Sequence, residues 1–149
     1  MRLAVLVTLL FYVLLAQGSE LSRPDEAVKT YYKAMNSADI EALKEIMVPS
    51  SFKITMEVWA LSKALKDKSF AKKLKRYGTD KEIDLEVQEA VRTKLLHASP
   101  KEITDLRVIA LGKSRCMVRY KEDGKQKQLF TSLDKQVWKI DYKAGRKID

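Results

Sequence analysis

Polar side chains that could act together on a small molecule are predicted to converge at one end of the C-terminal third of the chain. They are Asp105, Arg107, Tyr120, Lys127 and Tyr142. A carboxylate beside a phenol in an apolar pocket can remove a proton next to a carbonyl and stabilise the resulting oxyanion. Convergent polar groups at the rim of an apolar concavity are also typical of a small-molecule binding site. The alternative interpretation is that these residues lie at the solvated end of a sheet and simply reach water.

This placement depends on four predicted strands, which cover residues 103–111, 114–121, 125–133 and 136–142. In each range apolar and polar residues alternate with a period of two, and β-branched and aromatic residues are frequent. Asp123-Gly124 is a strong signal for a two-residue hairpin turn. Gly112-Lys113 and Asp134-Lys135 are predicted to close the other two turns. The pattern therefore predicts an antiparallel four-strand meander.

Three two-residue turns would fix which residues lie opposite one another. The first and second rows of the predicted apolar face are Leu111, Ser114, Leu133, Gln136 and Ile109, Cys116, Thr131, Trp138. The third and fourth rows are Arg107, Val118, Leu129, Ile140 and Asp105, Tyr120, Lys127, Tyr142. We expect this face to pack on helices, with Trp138 joining the polar row as a ligand-binding residue. A slip of one residue at any turn would exchange the two faces of the strands that follow.

The opposite face of the predicted sheet is mixed. It carries apolar residues among charged and amide side chains, and these are Val108, Met117, Phe130 and Val137. Exposed apolar patches among polar residues mark protein interfaces. We therefore predict a homodimer, or contact with a protein partner, through the outer sheet face.

Length and composition indicate one folded domain without a metal or cofactor. The chain has 149 residues, of which 46% are hydrophobic and 33% charged. Cys116 is the single cysteine and His97 the single histidine, so an intrachain disulfide is impossible and a zinc site has too few ligands. The sequence has neither a glycine-rich phosphate loop nor a Gly-x-Ser-x-Gly nucleophile motif. We predict no cofactor.

The N-terminus is typical of a secretory signal peptide, predicted to occupy residues 1–18. Arg2 precedes an apolar run over 3–16, and a small-x-small site follows at 16–18. A fourteen-residue helix spans about 21 Å, which is less than the roughly 30 Å hydrocarbon layer of a bilayer. Cleavage would leave residues 19–149 as a single periplasmic or secreted domain with no further membrane span. An uncleaved anchor is the alternative.

Four helices are predicted before the sheet, over residues 24–35, 40–47, 52–77 and 81–96. The third is the longest, with an apolar stripe at helical spacing formed by Val58, Leu61, Leu65, Phe70 and Leu74. Residues 63–76 contain seven basic residues and one acid. This segment is either a solvated helix face or a patch for an anionic envelope surface. The net charge of +9 alone would also suit nucleic acid, but an exported protein argues against that partner.

Two sequence segments resemble a known superfamily. They are the opening Pro-Asp-Glu-Ala-Val-Lys-Thr-Tyr-Tyr-Lys-Ala-Met at 24–35, followed by Ser37-Ala38-Asp39, and the closing Val-Trp-Lys-Ile at 137–140. The chain resembles the cystatin-like, nuclear-transport-factor-2-like superfamily, and most of all its small secreted bacterial members of unknown function. The resemblance implies an α+β fold in which a curved antiparallel sheet wraps around helices to form a cone.

The resemblance leaves function open, because this superfamily includes isomerase-like enzymes, dehydratases, small-ligand binders and dimerising modules. The region before the meander is longer and more helical than in many members, and no catalytic pattern carries over to this sequence. Our leading hypothesis is therefore a non-enzymatic exported protein that binds a small apolar or amphipathic ligand, or a protein partner. One alternative is a ketosteroid-isomerase-like or dehydratase-like enzyme that uses Asp105 with Tyr120 or Tyr142. The other is docking on an anionic envelope surface through residues 63–76.

Overall fold

The computed structural model describes residues 23–78 and 80–146. The predicted signal peptide and its cleavage site lie outside the described residues. Within the described ranges five helices precede a four-strand antiparallel sheet whose strands follow chain order. The helices are α1 Pro24–Ser37, α2 Ile40–Ile46, α3 Pro49–Lys66, α4 Lys68–Tyr77 and α5 Lys81–His97. The strands are β1 Ile103–Ala110, β2 Arg115–Glu122, β3 Lys125–Asp134 and β4 Val137–Ile140.

The predicted α+β architecture, with N-terminal helices packed on a C-terminal meander, is confirmed. Helix α1 contacts all four strands, and its apolar side carries Ala27 and Val28, which are fully buried. The same helix also borders a second core cluster, formed among the helices around Phe70 and Val91. None of the helices in the described part of the chain is both long and apolar enough to cross a membrane.

The prediction of one helix over 52–77 is wrong, because the chain leaves the helical conformation at Asp67. Its backbone is extended, with φ −125° and ψ 102°, and its carboxylate accepts hydrogen bonds from the amides of Ser69 and Phe70. These bonds pair two amides that would otherwise lack partners at the start of α4. The apolar periodicity across this point hid the break. Of the predicted apolar stripe, Phe70 is buried, whereas Val58, Leu61 and Leu65 are exposed.

The predicted pairing of β1 with β2 is wrong by one residue. The connecting loop has three residues, 112–114, because the Leu111 amide donates to the Arg115 carbonyl at 2.9 Å. Arg107 therefore lies opposite Arg119, and Val108 lies opposite Val118. Since successive side chains point to opposite faces of a sheet, one extra residue moves Arg107 and Ile109 to the outer face.

At the start of β1 a bulge restores the predicted pairing with β2. The pairing is irregular between Thr104 and Arg107, and Asp105 has a left-handed φ of 56°. Beyond this point Thr104 lies opposite Lys121, as the two-residue turn had predicted. The bulge leaves the Asp105 side chain on the outer face and directs Leu106 towards the helices, where it packs on the sheet–helix core.

The other two hairpins keep the predicted faces. Across β2 and β3 the pairs are as predicted, including Tyr120 opposite Lys127. Between β3 and β4 the turn is Lys135-Gln136, with φ of 47° and 68°, rather than Asp134-Lys135. This moves the register by two residues, so Trp138 lies opposite Leu133 and still faces the helices. An even slip changes partners but preserves the face.

One edge of the sheet and its outer face are partly covered by neighbouring chain. Beside β4, Met47 forms a parallel bridge with Ile140, and the Val48 amide donates to the Ile140 carbonyl at 3.0 Å. On the outer face the turn over 141–146 lies against Phe130, and a Cβ at Gly145 would come within 2.5 Å of that ring. The predicted dimer surface is therefore less exposed than expected: Met117, Phe130 and Val137 are half-buried. The homodimer stays a prediction.

Candidate ligand-binding site

Adjacent tyrosines of α1 connect the helices to the inner face of the sheet. Tyr32 is nearly buried and its hydroxyl lies 2.9 Å from that of Tyr120. The Tyr32 hydroxyl donates to Glu122 Oε2 at 3.2 Å. Since a phenol has one proton, Tyr120 donates to Tyr32, and the three groups form a chain of hydrogen bonds that ends on the carboxylate. The rings of Tyr31 and Tyr120 each pack edge-on against Tyr32, with centroids 5.5 Å apart.

A second set of hydroxyls fixes the residues that follow β4. Ser51, in the first turn of α3, is fully buried, and its Oγ accepts the backbone N–H of Tyr142 at 3.0 Å. One turn later Thr55 Oγ1 donates to the Ser51 carbonyl at 3.0 Å and lies 3.2 Å from the Tyr142 hydroxyl. Because the proton of Thr55 is already engaged, Tyr142 is the donor in the second contact. An acceptor lone pair remains on the Tyr142 oxygen.

Two of these residues, Thr55 and Tyr142, border a cavity of about 260 Å³ between α1, α3, α5 and the end of the sheet. Its polar lining residues are Tyr31, Thr55 and Tyr142. The remaining described lining residues are aliphatic, thioether or indole side chains, namely Met35, Leu43, Ile54, Val58, Trp59, Val91 and Leu95. We call this space the tyrosine cavity. Its composition, apolar with a few hydroxyls, is typical of a site for a small amphipathic molecule.

Burial favours the protonated form of three phenols in and behind the tyrosine cavity, those of Tyr31, Tyr32 and Tyr120. Burial raises the pKa of Tyr31 well above its usual value, and the neighbouring Tyr142 raises it further. Burial also raises the pKa of Tyr32 and of Tyr120. In a low-dielectric setting the neutral form is favoured over the phenolate. The cavity therefore offers the neutral hydroxyl of Tyr31, while the hydroxyls of Thr55 and Tyr142, whose protons are already donated, offer acceptor lone pairs.

One of the six predicted ligand-binding residues lines the tyrosine cavity, and two others pack in the sheet–helix core. Tyr142 lines it. Tyr120 is buried behind it, joined to α1 through Tyr32. Trp138 is half-buried and packs on the sheet–helix core without lining the cavity. The predicted rows placed Tyr120 opposite its actual partner Lys127 and Trp138 on the correct face but opposite the wrong partner, whereas Tyr142 lies beyond the end of β4.

The other three predicted residues, Asp105, Arg107 and Lys127, instead border a groove of about 750 Å³. Asp105 and Arg107 were predicted to lie beside Tyr120, which is wrong because the longer β1–β2 loop and the bulge turn them outwards. Asp105 Oδ2 lies 2.7 Å from Lys121 Nζ, and Lys121 and Tyr120 are neighbours in β2 and so point to opposite faces. Lys127 also reaches Glu122, with 4.0 Å between Nζ and Oε2.

The charge state of Asp105 is the reverse of what a general base in an apolar pocket needs. The hydrogen bond from Lys121, together with the positive charge of that residue, lowers the pKa of the Asp105 carboxyl. The side chain is 58% exposed. A base that removes a proton next to a carbonyl is normally desolvated, which raises its pKa towards neutrality. The catalytic pair of Asp105 with Tyr120 is therefore not formed.

Sequence reasoning missed Tyr31, Ser51 and Thr55 as site residues. The first was assigned to the apolar stripe of the first helix, and the other two were not singled out. Their partner Tyr142 is about ninety residues away in sequence, so no local pattern joins them. Glu122 had a usable signal, because it continues the inward alternation of Val118 and Tyr120 on β2.

Metal-ligating groups do not cluster in the described ranges: no set of three or more His, Cys, Asp or Glu side chains there is placed to hold an ion. His97 is exposed at the end of α5, where its Nδ1 lies 2.7 Å from the Thr93 carbonyl. Cys116 is buried on the inner sheet face, and burial raises the pKa of its thiol. A thiol in that state is a poor nucleophile.

Comparison of the chain with family models, with curated proteins and with solved structures finds no match. The resemblance to the cystatin-like superfamily therefore stays a prediction, and function has to be argued from the geometry of this chain.

Proposed function

We propose that this protein is a non-catalytic binding protein that holds a small, neutral, amphipathic molecule in the tyrosine cavity. The observation that carries the proposal is the position of three hydroxyl groups, those of Tyr31, Thr55 and Tyr142, around an otherwise apolar space. The predicted signal peptide supports a periplasmic or secreted location for this binding.

The volume of the cavity limits the size of the ligand. At about 260 Å³ it is larger than the roughly 150 Å³ engineered cavity that holds benzene. It is slightly smaller than the roughly 300 Å³ at which pockets for drug-sized ligands begin. A single-ring molecule, or a short chain with one or two polar groups, is the class that fits.

The lining also selects for a neutral ligand. None of the described residues that border the cavity is acidic or basic, and burial raises the pKa of the Tyr31 phenol, which favours its neutral form. Burying an ionised group without a charged partner is costly. A hydroxyl group on the ligand would instead find an acceptor on the Tyr142 oxygen, whose own proton is donated to Thr55.

Binding accounts for this geometry better than proton abstraction does. Proton abstraction needs a carboxylate at the cavity wall, and Asp105 lies on the opposite face of the sheet. The nearest carboxylate in the hydroxyl network, that of Glu122, already accepts the proton of Tyr32. We therefore favour a binding role over the enzyme alternative.

The proposal can be tested with two probes of similar shape, phenol and toluene, by isothermal titration calorimetry. Both are expected to bind the wild-type protein. Tyr142→Phe removes a hydroxyl but keeps the ring, so we expect phenol affinity to fall by about threefold to tenfold and toluene affinity to stay the same.

Tyr77→Phe is the matched control, because Tyr77 is exposed at the end of α4 and lies outside the cavity lining. It should change neither affinity. Failure of both probes to bind the wild-type protein, or equal phenol affinity in wild type and Tyr142→Phe, would rule out the proposal. Native mass spectrometry of protein purified gently after export would then identify the natural ligand as a retained mass.

A further inference from the structure

Helix α3 carries an apolar stripe that is exposed on the surface of the protein. Val58, Leu61 and Leu65 are 60%, 61% and 89% exposed. Their spacing of three and four residues places them along one side of the helix. The other side packs into the core through Ala60 and its neighbours. Large apolar side chains aligned in this way mark a surface that contacts an apolar phase or a partner.

Helix α4, which follows after Asp67 alone, carries a basic stripe. Lys68, Lys72 and Lys75 are exposed and spaced four and three residues apart, so they share one side of that helix. The opposite side buries Phe70. Among the described residues no carboxylate lies within 4.0 Å of these three ammonium groups, in contrast to Lys73, which reaches Glu86. Leu65 is the last residue of the apolar stripe and Lys68 is the first of the basic stripe, so the two stripes are only three residues apart in sequence.

We propose that these two stripes dock the protein on the surface of an anionic lipid bilayer. The lysines of α4 would approach the headgroup charges, while Leu61 and Leu65 would enter the interfacial layer beside them. Amphipathic helices bind membranes by this combination of apolar burial and attraction to anionic lipid. The basic residues of 63–76 predicted only an electrostatic attraction to the surface. The exposed leucines of α3 add an apolar contribution to the docking.

Charge favours a lipid surface over a second copy of the chain as the occupant. Two copies meeting through these stripes would bring two sets of lysines together, and like charges across an interface oppose association. An anionic bilayer supplies the complementary sign over the whole patch. The basic stripe therefore distinguishes between the two occupants that the apolar stripe alone would allow.

Docking has one consequence that rests on the proposed function. Val58 belongs to the exposed stripe and also lines the tyrosine cavity. The docked surface therefore borders the cavity, and an amphipathic ligand dissolved in the bilayer would reach the cavity without crossing bulk water. Vesicle binding itself does not require a ligand, so the docking test is independent of the proposed function.

Vesicle flotation tests the docking, using protein purified after export with its N-terminus established by intact mass. We expect binding to vesicles of mixed phosphatidylcholine and phosphatidylglycerol, little binding to phosphatidylcholine alone, and a loss of affinity as salt is added. Leu61→Ser with Leu65→Ser should weaken binding by about tenfold or more. The control, Leu85→Ser with Leu96→Ser, changes two leucines of α5 that are 58% and 65% exposed and should leave binding unchanged.

A second pair of variants separates the patch from the overall charge of the protein. Replacing the three α4 lysines with glutamine should abolish binding to the anionic vesicles. The control makes the same change at three exposed lysines in or directly beside the hairpin turns, Lys113, Lys125 and Lys135, and should lose much less affinity for the vesicles. Equal losses from the two triple variants would overturn the proposal, because they would mean that net charge alone drives binding.

Two further outcomes would also overturn it. One is wild-type protein that does not float with anionic vesicles. The other is a dimer in sedimentation velocity that the paired serine substitutions at Leu61 and Leu65 dissociate, because the stripe would then be an interface between copies. Circular dichroism of each variant establishes that it is folded before its binding is compared.

Discussion

Replacing Ser51 with alanine should destabilise the protein measurably, although it removes one oxygen atom. Ser51 is fully buried, and its Oγ accepts the Tyr142 backbone N–H at 3.0 Å. The change removes this hydrogen bond and leaves the Tyr142 N–H without an acceptor, at a position where water cannot easily take the place of the lost oxygen. Loss of one partner from such a pair costs about 1–3 kcal/mol. Because Tyr142 is only half-buried, we expect the lower half of that range, about 1–2 kcal/mol.

The assay is urea unfolding followed by tryptophan fluorescence, with the free energy obtained by linear extrapolation. Ser50→Ala is the matched control: Ser50 is the preceding residue in the same helical turn, but it is exposed. It should change the unfolding free energy by less than about 0.5 kcal/mol. Equal free energies for the two alanine variants would refute the reasoning, since the Ser51 hydroxyl would then contribute nothing to the anchoring of Tyr142.

Three other perturbations test the remaining parts of the structure. Burial raises the pKa of Tyr32 above its unfolded value of 10.0. Because the unfolded chain therefore releases this proton first, the stability of the folded protein should fall as the pH rises above about 10. In Tyr32→Phe the melting temperature should fall less steeply over that range. The backbone of Asp105 has a left-handed φ, which a β-branched side chain would strain. Asp105→Val should therefore lower the urea midpoint of unfolding clearly more than Asp105→Asn does. Equal midpoints for the two variants would contradict the bulge. Gly145→Ala would place a Cβ 2.5 Å from the Phe130 ring, so we expect a loss of about 1–3 kcal/mol, read from thermal unfolding.

Local sequence patterns sufficed for the fold class and for one hairpin. Asp123-Gly124 fixed the β2–β3 register because both residues must adopt positive φ, and the structure has 48° and 80° there. Gly112-Lys113 carried no comparable constraint, because these two residues are compatible with a loop of either two or three residues. The difference of one residue was enough to move Arg107 to the other face of the sheet.

The candidate site was harder to predict than the fold, because its contacts join distant parts of the chain. Tyr142 was identified from strand alternation, which is a local signal. Its partners Ser51 and Thr55 lie on a helix about ninety residues earlier, and only tertiary packing brings them together. The exposed stripe on α3 was missed for a related reason: periodicity shows that Leu61 and Leu65 share a side of a helix, but not whether anything covers that side.

The bridge between Met47 and Ile140 has a consequence for how copies of this protein can aggregate. A strand at the edge of a sheet offers free backbone groups to which a strand of another molecule can add. On the β4 side Met47 and Val48 already occupy that position, and Pro49 follows, with no amide hydrogen to offer. On the β1 side the bulge at Asp105 interrupts the regular row of backbone groups. We therefore expect the native protein to resist fibre growth by strand addition at both margins.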